Sequence, residues 1–282
     1  MLLRNSQLKD GRKLCYREIG KPDGQPVFYF HGAPSSSAEA GMIEKDLLFK
    51  YNLRVIAPDR PGCGASDPLA KRTFMNWAED VLELADHLNL QKFSIIGNSC
   101  GGAYVAACCI KFPQRLRSAV ILAGAWRMDH PIAKKHLTFP YSTFWFSVKR
   151  GPIFLPGIIS SIFYTLPVTR KFMPFPDSKV LHKGRFYAFL AAVEGAMQNK
   201  FGASWDLMMY TKTFDFDVSS VTFPILLLHG EKDKNVPVEL VKFFSKSLFG
   251  STLIIFKKEA HFSIVCNQFE RAAKHISDSH NE

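Results

Sequence analysis

Gly97-Asn98-Ser99-Cys100-Gly101 follows the apolar run Phe93-Ser94-Ile95-Ile96 and opens a stretch of small residues. A G-x-S-x-G pentapeptide in that context sets a serine on a tight turn between strand and helix, with glycines where a Cβ would collide with neighbouring backbone. The helix N-terminus there offers free N–H groups and the positive end of a dipole to a developing oxyanion. A serine hydroxyl is a weak nucleophile until a base takes its proton, and the base needs a third group to hold its tautomer. Of nine histidines, His261, in Lys258-Glu259-Ala260-His261-Phe262, lies late in the chain just past the apolar run Thr252–Phe256. His31 and His229 close earlier apolar runs, where a structural role is expected, and His275 and His280 fall in the terminal helix and tail. The expected acid is Asp233, directly after Pro224-Ile225-Leu226-Leu227-Leu228-His229-Gly230. Glu231 reads as solvent-facing, and Asp129, after Ala119–Gly124, is the rival. The oxyanion would be bound by the backbone N–H groups of Cys100 and of Ala33, in His31-Gly32-Ala33-Pro34, because Pro34 has no N–H to give.

Such residues meet only if the elements that carry them converge. Short apolar runs at Pro26–His31, Leu53–Pro58, Phe93–Gly97, Ala119–Gly124, Pro224–Gly230 and Thr252–Phe256 read as buried strands. Helical stretches lie at Ser36–Lys50, Thr73–Leu88, Ser99–Phe112, Pro237–Leu248 and Gln268–Ile276. That alternation predicts an α/β fold with a mostly parallel sheet, helices on both faces, and chemistry at the carboxyl ends of the strands. The opening stretch to Gly20, turning at Gly11, reads as a hairpin of two edge strands.

The alternation stops between Trp126 and Phe214, which predicts a core of residues 1–125 and 214–282 and a helical cap or lid over 126–213. That segment holds twelve Lys or Arg against four acids, Asp129, Asp177, Glu194 and Asp206, and so carries +8 of the chain's +11. It also holds the aromatic stretch Phe139–Val148 and the uncharged run Pro152–Val168, whose Pro152, Pro156, Gly157 and Pro167 argue against one spanning helix. A lid over an apolar pocket is one reading. The other is an interfacial lid whose Lys149, Arg150, Arg170 and Lys171 meet an anionic membrane surface. No nucleic-acid reader motif accompanies the charge, so nucleic acid is not an expected partner. Cys15, Cys63, Cys100, Cys108, Cys109 and Cys266 form no CxxC pair and are expected to be reduced and mostly buried. The first residues lack a signal-peptide core, and a cytoplasmic location is expected.

His31–Pro34, Asp59-Arg60-Pro61-Gly62-Cys63-Gly64-Ala65-Ser66-Asp67, Gly97–Gly102, His229–Pro237 and Glu259–Phe262 together resemble the α/β-hydrolase superfamily, in family order and over nearly the whole chain. The resemblance implies a cofactor-independent serine hydrolase with Ser99, Asp233 and His261 as triad, Ala33 and Cys100 as oxyanion donors, and neither cofactor nor metal. Cys100 stands at a position that varies in the family, and Ala260 stands where glycine is frequent. An esterase or lipase-like enzyme cleaving an apolar carboxylic ester is the leading expectation. Serine-dependent C–C hydrolases, perhydrolases, and small-ligand receptors with slow or no turnover share the same frame, whereas Ser99 argues against relatives with an aspartate nucleophile.

Overall fold

The structure is a computed structural model that describes residues 1–151, 173–180, 189, 191–193, 195 and 200–279. Its strands are β1 (Leu2–Gln7), β2 (Lys13–Gly20), β3 (Gln25–Phe30), β4 (Leu53–Pro58), β5 (Phe93–Asn98), β6 (Leu116–Leu122), β7 (Leu226–Gly230) and β8 (Thr252–Phe256). They form one sheet in the order β1-β2-β4-β3-β5-β6-β7-β8. From β4 onward along that order every pairing is parallel, while β2 runs antiparallel to both β1 and β4. The hairpin expected at the start is present and turns at Gly11, with φ +87°, but only β1 is an edge: β2 is enclosed between β1 and β4.

The period of two along a strand sends neighbouring side chains to opposite faces, and both faces are apolar. Phe28 and Phe30 enter one core with Phe74, Trp77, Val81 and Tyr104, whereas Val27 and Tyr29 enter the other with Leu48, Ile264, Phe269 and Ile276. The helices among the described residues are α1 (Lys45–Lys50), α2 (Phe74–His87), α3 (Gly102–Lys111), α4 (Pro131–His136), α5 (Tyr141–Arg150), α6 (Phe175–Val180), α7 (Lys200–Met209), α8 (Val238–Ser245) and α9 (His261–Asp278), of which α1, α2, α3, α8 and α9 belong to the layers on the sheet. Helix α2 starts where it does because Thr73 and Asn76 cap each other, each accepting the other's backbone N–H.

Two helices depart from the sequence-based expectation. Ser36–Lys50 is not continuous: a 3-10 helix covers Ser37–Met42, Ile43 is extended, and α1 follows. Gly41 weakens the helix there, and the Ser37 N–H and the Glu39 carboxylate are taken by tertiary bonds. The terminal helix starts at His261, seven residues earlier than Gln268, because Ile264, Val265 and Phe269 already lie on one buried face.

The described part of 126–213 is helical in α4 to α7. Helix α5 buries Tyr141, Trp145 and Val148, one face at spacings of four and three, and leaves Phe146 exposed. Pro152–Val168, Arg170 and Lys171 lie outside the described residues.

Candidate active site

Strand order reverses between β3 and β5, with β4 on the far side of β3 and β6 on the far side of β5, which opens a crevice at their carboxyl ends. Ser99 stands there, immediately after β5. Its φ is +51°, a left-handed conformation that a non-glycine residue adopts only when its surroundings enforce it. The flanking glycines supply that enforcement by close approach. A Cβ on Gly97 would lie 2.4 Å from Gly101 O, and one on Gly101 would lie 2.2 Å from Phe30 O. The chain therefore turns directly from β5 into a one-turn 3-10 helix, Ser99–Gly101, and then α3, beside the end of β3.

His261 and Asp233 reach Ser99 from the ends of β8 and β7. The His261 Nε2 lies 2.9 Å from Ser99 Oγ, and its Nδ1 lies 2.7 Å from Asp233 Oδ2. The other Asp233 oxygen accepts the N–H groups of Asn235 and Val236 at 2.8 and 2.9 Å, so the carboxylate is fixed by its own loop. That loop is tied to the histidine's: Lys232 N–H donates to Glu259 O, and a Cβ on Gly230 would be 2.6 Å from the Glu259 carbonyl. A carboxylate at Nδ1 favours the tautomer with its proton there, which leaves Nε2 free to accept from the serine hydroxyl. Burial alone would lower the pKa of His261; Asp233 above all, then Asp177 and Glu39, outweigh it and the net shift is upward.

His31 and His229 are elsewhere employed. His31 pairs Nδ1 with Gly32 O, His229 pairs Nε2 with Val236 O, and burial holds both below the usual histidine pKa. Asp129 is engaged by Arg127 at 2.7 Å, and Glu231 is exposed.

The loop after β3 approaches the serine closely: a Cβ on Gly32 would be 3.4 Å from Ser99 Cβ. Its N–H is taken by Glu39, at 3.1 Å to each oxygen, and Ala33 follows it. Cys100 N–H belongs to the first turn after β5, where helical N–H groups have no partner within the helix, and its carbonyl accepts from Tyr210 Oη. Among the described residues, no group of His, Cys, Asp or Glu could hold a metal ion. All six cysteines are buried and outside any disulfide; burial pushes the Cys100 thiol up to about 12, far from a reactive thiolate.

Residues 25–148 match the family model described as alpha/beta hydrolase fold. A bifunctional esterase/perhydrolase of Acinetobacter calcoaceticus is 26% identical over 82% of this chain and 83% of its own length. A non-heme chloroperoxidase of Streptomyces lividans is 28% identical over 81% of each chain. The crystal structure of a bromoperoxidase from Bacillus anthracis superposes with a TM-score of 0.73 at 21% identity, covering 99% of this chain and 100% of that one. The chain has the α/β-hydrolase fold.

Within this fold the cluster of Ser99, His261 and Asp233 is surrounded by buried charged residues to which the sequence alone assigned no role. Glu39, 4% exposed, also accepts from Tyr29 Oη, Ser35 Oγ and Asn98 Nδ2, so one carboxylate links the loop after β3 to the residue before Ser99. Arg60 is wholly buried, and its guanidinium donates to His31 O at 2.5 Å, to Gly32 O at 2.6 Å and to Asp206 Oδ2 at 2.8 Å. Asp206 also accepts from Arg72 and from Tyr104 Oη. A third buried acid, Asp177, accepts three N–H groups at the start of α9. The one sequence signal for Asp177 and Asp206 was their rarity: two of four acids in a segment with twelve bases.

Proposed function

We propose that the protein hydrolyses a carboxylic ester with a fairly apolar acyl or alcohol group, through an acyl-enzyme on Ser99. One observation carries the reading: His261 lies within hydrogen-bond reach of both Ser99 Oγ and Asp233 Oδ2, at 2.9 and 2.7 Å. In the reaction Oγ attacks the carbonyl carbon as Nε2 takes its proton, and the carbonyl oxygen becomes an oxyanion bound by the Ala33 and Cys100 amides. The imidazolium, opposite the Asp233 carboxylate, then passes that proton to the departing alcohol oxygen. Water, deprotonated by the same nitrogen, attacks the acyl carbon, and the acid leaves as Ser99 recovers its proton. Residues 126–213 act as a cap that shapes the acyl pocket, with the buried Tyr141 of α5 in the electrostatic field of Asp233.

Replacement of Ser99 by Ala tests the assignment. Turnover of a short p-nitrophenyl ester and labelling by a fluorophosphonate are both lost, with the thermal transition retained. Unchanged turnover in the folded variant would falsify it.

The relative described as an esterase/perhydrolase favours a second reading, in which hydrogen peroxide takes the place of water at the acyl-enzyme and a peracid leaves. Peracid released from ester plus peroxide, and lost in Ser99→Ala, distinguishes it. A receptor with little turnover would instead show a ligand-dependent rise in melting temperature with at most one turnover.

A further inference from the structure

The helix that begins at His261 has a problem at its first turn. Its leading N–H groups have no acceptor within the helix, and the residue before it, Ala260, has no side-chain oxygen to offer. Ser263 Oγ accepts from Ala260 N–H at 2.7 Å, which serves the preceding residue and leaves the first-turn donors open. Asp177 supplies what is missing from 84 residues upstream: Oδ2 accepts His261 N–H at 3.1 Å, and Oδ1 accepts the Phe262 and Ser263 N–H groups at 2.8 Å each. The side chain is 1% exposed, so these bonds are shielded from water. Helix α2 is served partly in the same way: Thr73 caps it locally, while the distant Asp215 accepts the Phe74 and Met75 N–H groups.

The same placement has an electrostatic consequence. A histidine at the positive end of an 18-residue helix is disfavoured in its protonated form, yet acyl transfer passes through that form. A carboxylate bound to those N–H groups offsets the dipole. The groups that face His261 are Asp233 from the loop after β7, Asp177 from α6, Glu39 from the segment after β3, and His229 from the end of β7; Tyr141 of α5 faces the two aspartates. Burial pushes the Asp177 pKa up to about 6 against the opposing pull of the N–H groups and His261, so the carboxylate is ionised at neutral pH.

We propose that Asp177 is the positioning residue for His261: from outside the hydrolase core it fixes the histidine's backbone and favours its protonated form. The proposal rests on the triad reading, and two measurements keep the two separable. In an otherwise unchanged chain, Asp177→Asn lowers kcat by roughly 10²-fold with KM unchanged, because it sets an amide N–H against the His261 N–H and removes the charge. The acid limb of its pH–rate profile moves to lower pH by about one unit. Asp177→Glu keeps the charge, so the acid limb stays in place while kcat falls through displacement. The second measurement needs no turnover: the His261 ring nitrogens are titrated by NMR in Ser99→Ala and in Ser99→Ala/Asp177→Asn, with the lower midpoint expected in the double variant. Folded Asn and Glu variants that keep the parental kcat and titration overturn the proposal, as does a rise in KM alone. Absence of any Ser99-dependent turnover in the parent overturns the ester reading and leaves the titration to decide Asp177.

Discussion

Asp206 and Arg60 are paired at 2.8 Å with no exposure to solvent, and the same guanidinium holds the carbonyls of His31 and Gly32, the residues that lead into the proposed oxyanion loop. The pair therefore joins α7 to the loop whose next amide is Ala33. Its electrostatics are one-sided: Asp206 is the carboxylate for both Arg60 and Arg72, and Arg72 Nη1 finds no partner among the described residues. Burial alone would raise the pKa of Asp206; the two arginines outweigh it and hold it low.

Asp206→Ala strands two buried guanidinium groups and is expected to cost about 3–5 kcal/mol of stability. Denaturant unfolding measures it. Because the folded-state pKa of Asp206 is depressed, its contribution is present above its ordinary value near 3.8 and is lost only as the pH falls below that. The loss on mutation should accordingly be full at pH 7 and shrink in strong acid. A variant as stable as the parent at pH 7 would show that the Arg60 bonds to His31 and Gly32 suffice alone.

The two candidate acids part on a simple comparison. Asp233→Asn keeps the size of the side chain but no longer holds the His261 tautomer, and kcat is expected to fall roughly 10⁴-fold. Asp129 is occupied by Arg127, so Asp129→Asn should leave kcat and KM near parental values. Steady-state kinetics of both variants on one ester decides between them, and the reverse pattern would transfer the role to Asp129.

The pH profile should carry the mark of a histidine held high. The proposed mechanism requires neutral His261, whose pKa lies above the ordinary 6.5 after the nearby carboxylates outweigh burial. The rate is therefore expected to fall as pH drops through a midpoint above 6.5. The linkage to stability has the opposite sense. A raised histidine pKa stabilises the fold fully below the unfolded-state value and loses that contribution as pH rises through the folded one. An acid limb in kcat/KM centred at or below pH 6.5 contradicts this account.

Among the described residues of the basic segment, four large aromatic side chains stand in solvent: Phe139 at 71%, Phe146 at 57%, Phe175 at 77% and Phe201 at 57%. Lys149 and Arg150 end α5, and the Arg150 guanidinium lies 4.3 Å from the Phe146 ring centroid. No helix among the described residues is long and apolar enough to cross a membrane. In low salt the protein should sediment with vesicles containing anionic lipid and be released as salt is raised. Equal partition to neutral and anionic vesicles removes the membrane from its partners.

The pattern of apolar runs determined the order of the core elements, and the glycines around Ser99 determined the elbow, because strand burial and a left-handed turn leave local marks in sequence. Asp233 and His261 were legible for a related reason: Asp233 lies in the loop after β7, and His261 lies a few residues past the end of β8. Tertiary structure alone decided what holds them. Asp177 and Asp206 looked like the sparse acids of a basic segment, and nothing local distinguishes a solvated aspartate from one that caps a helix 84 residues downstream or pairs with an arginine 146 residues away. The start of α9 was misplaced on the same account. The acceptors for its first turn belong to another part of the chain, and only folding brings them there.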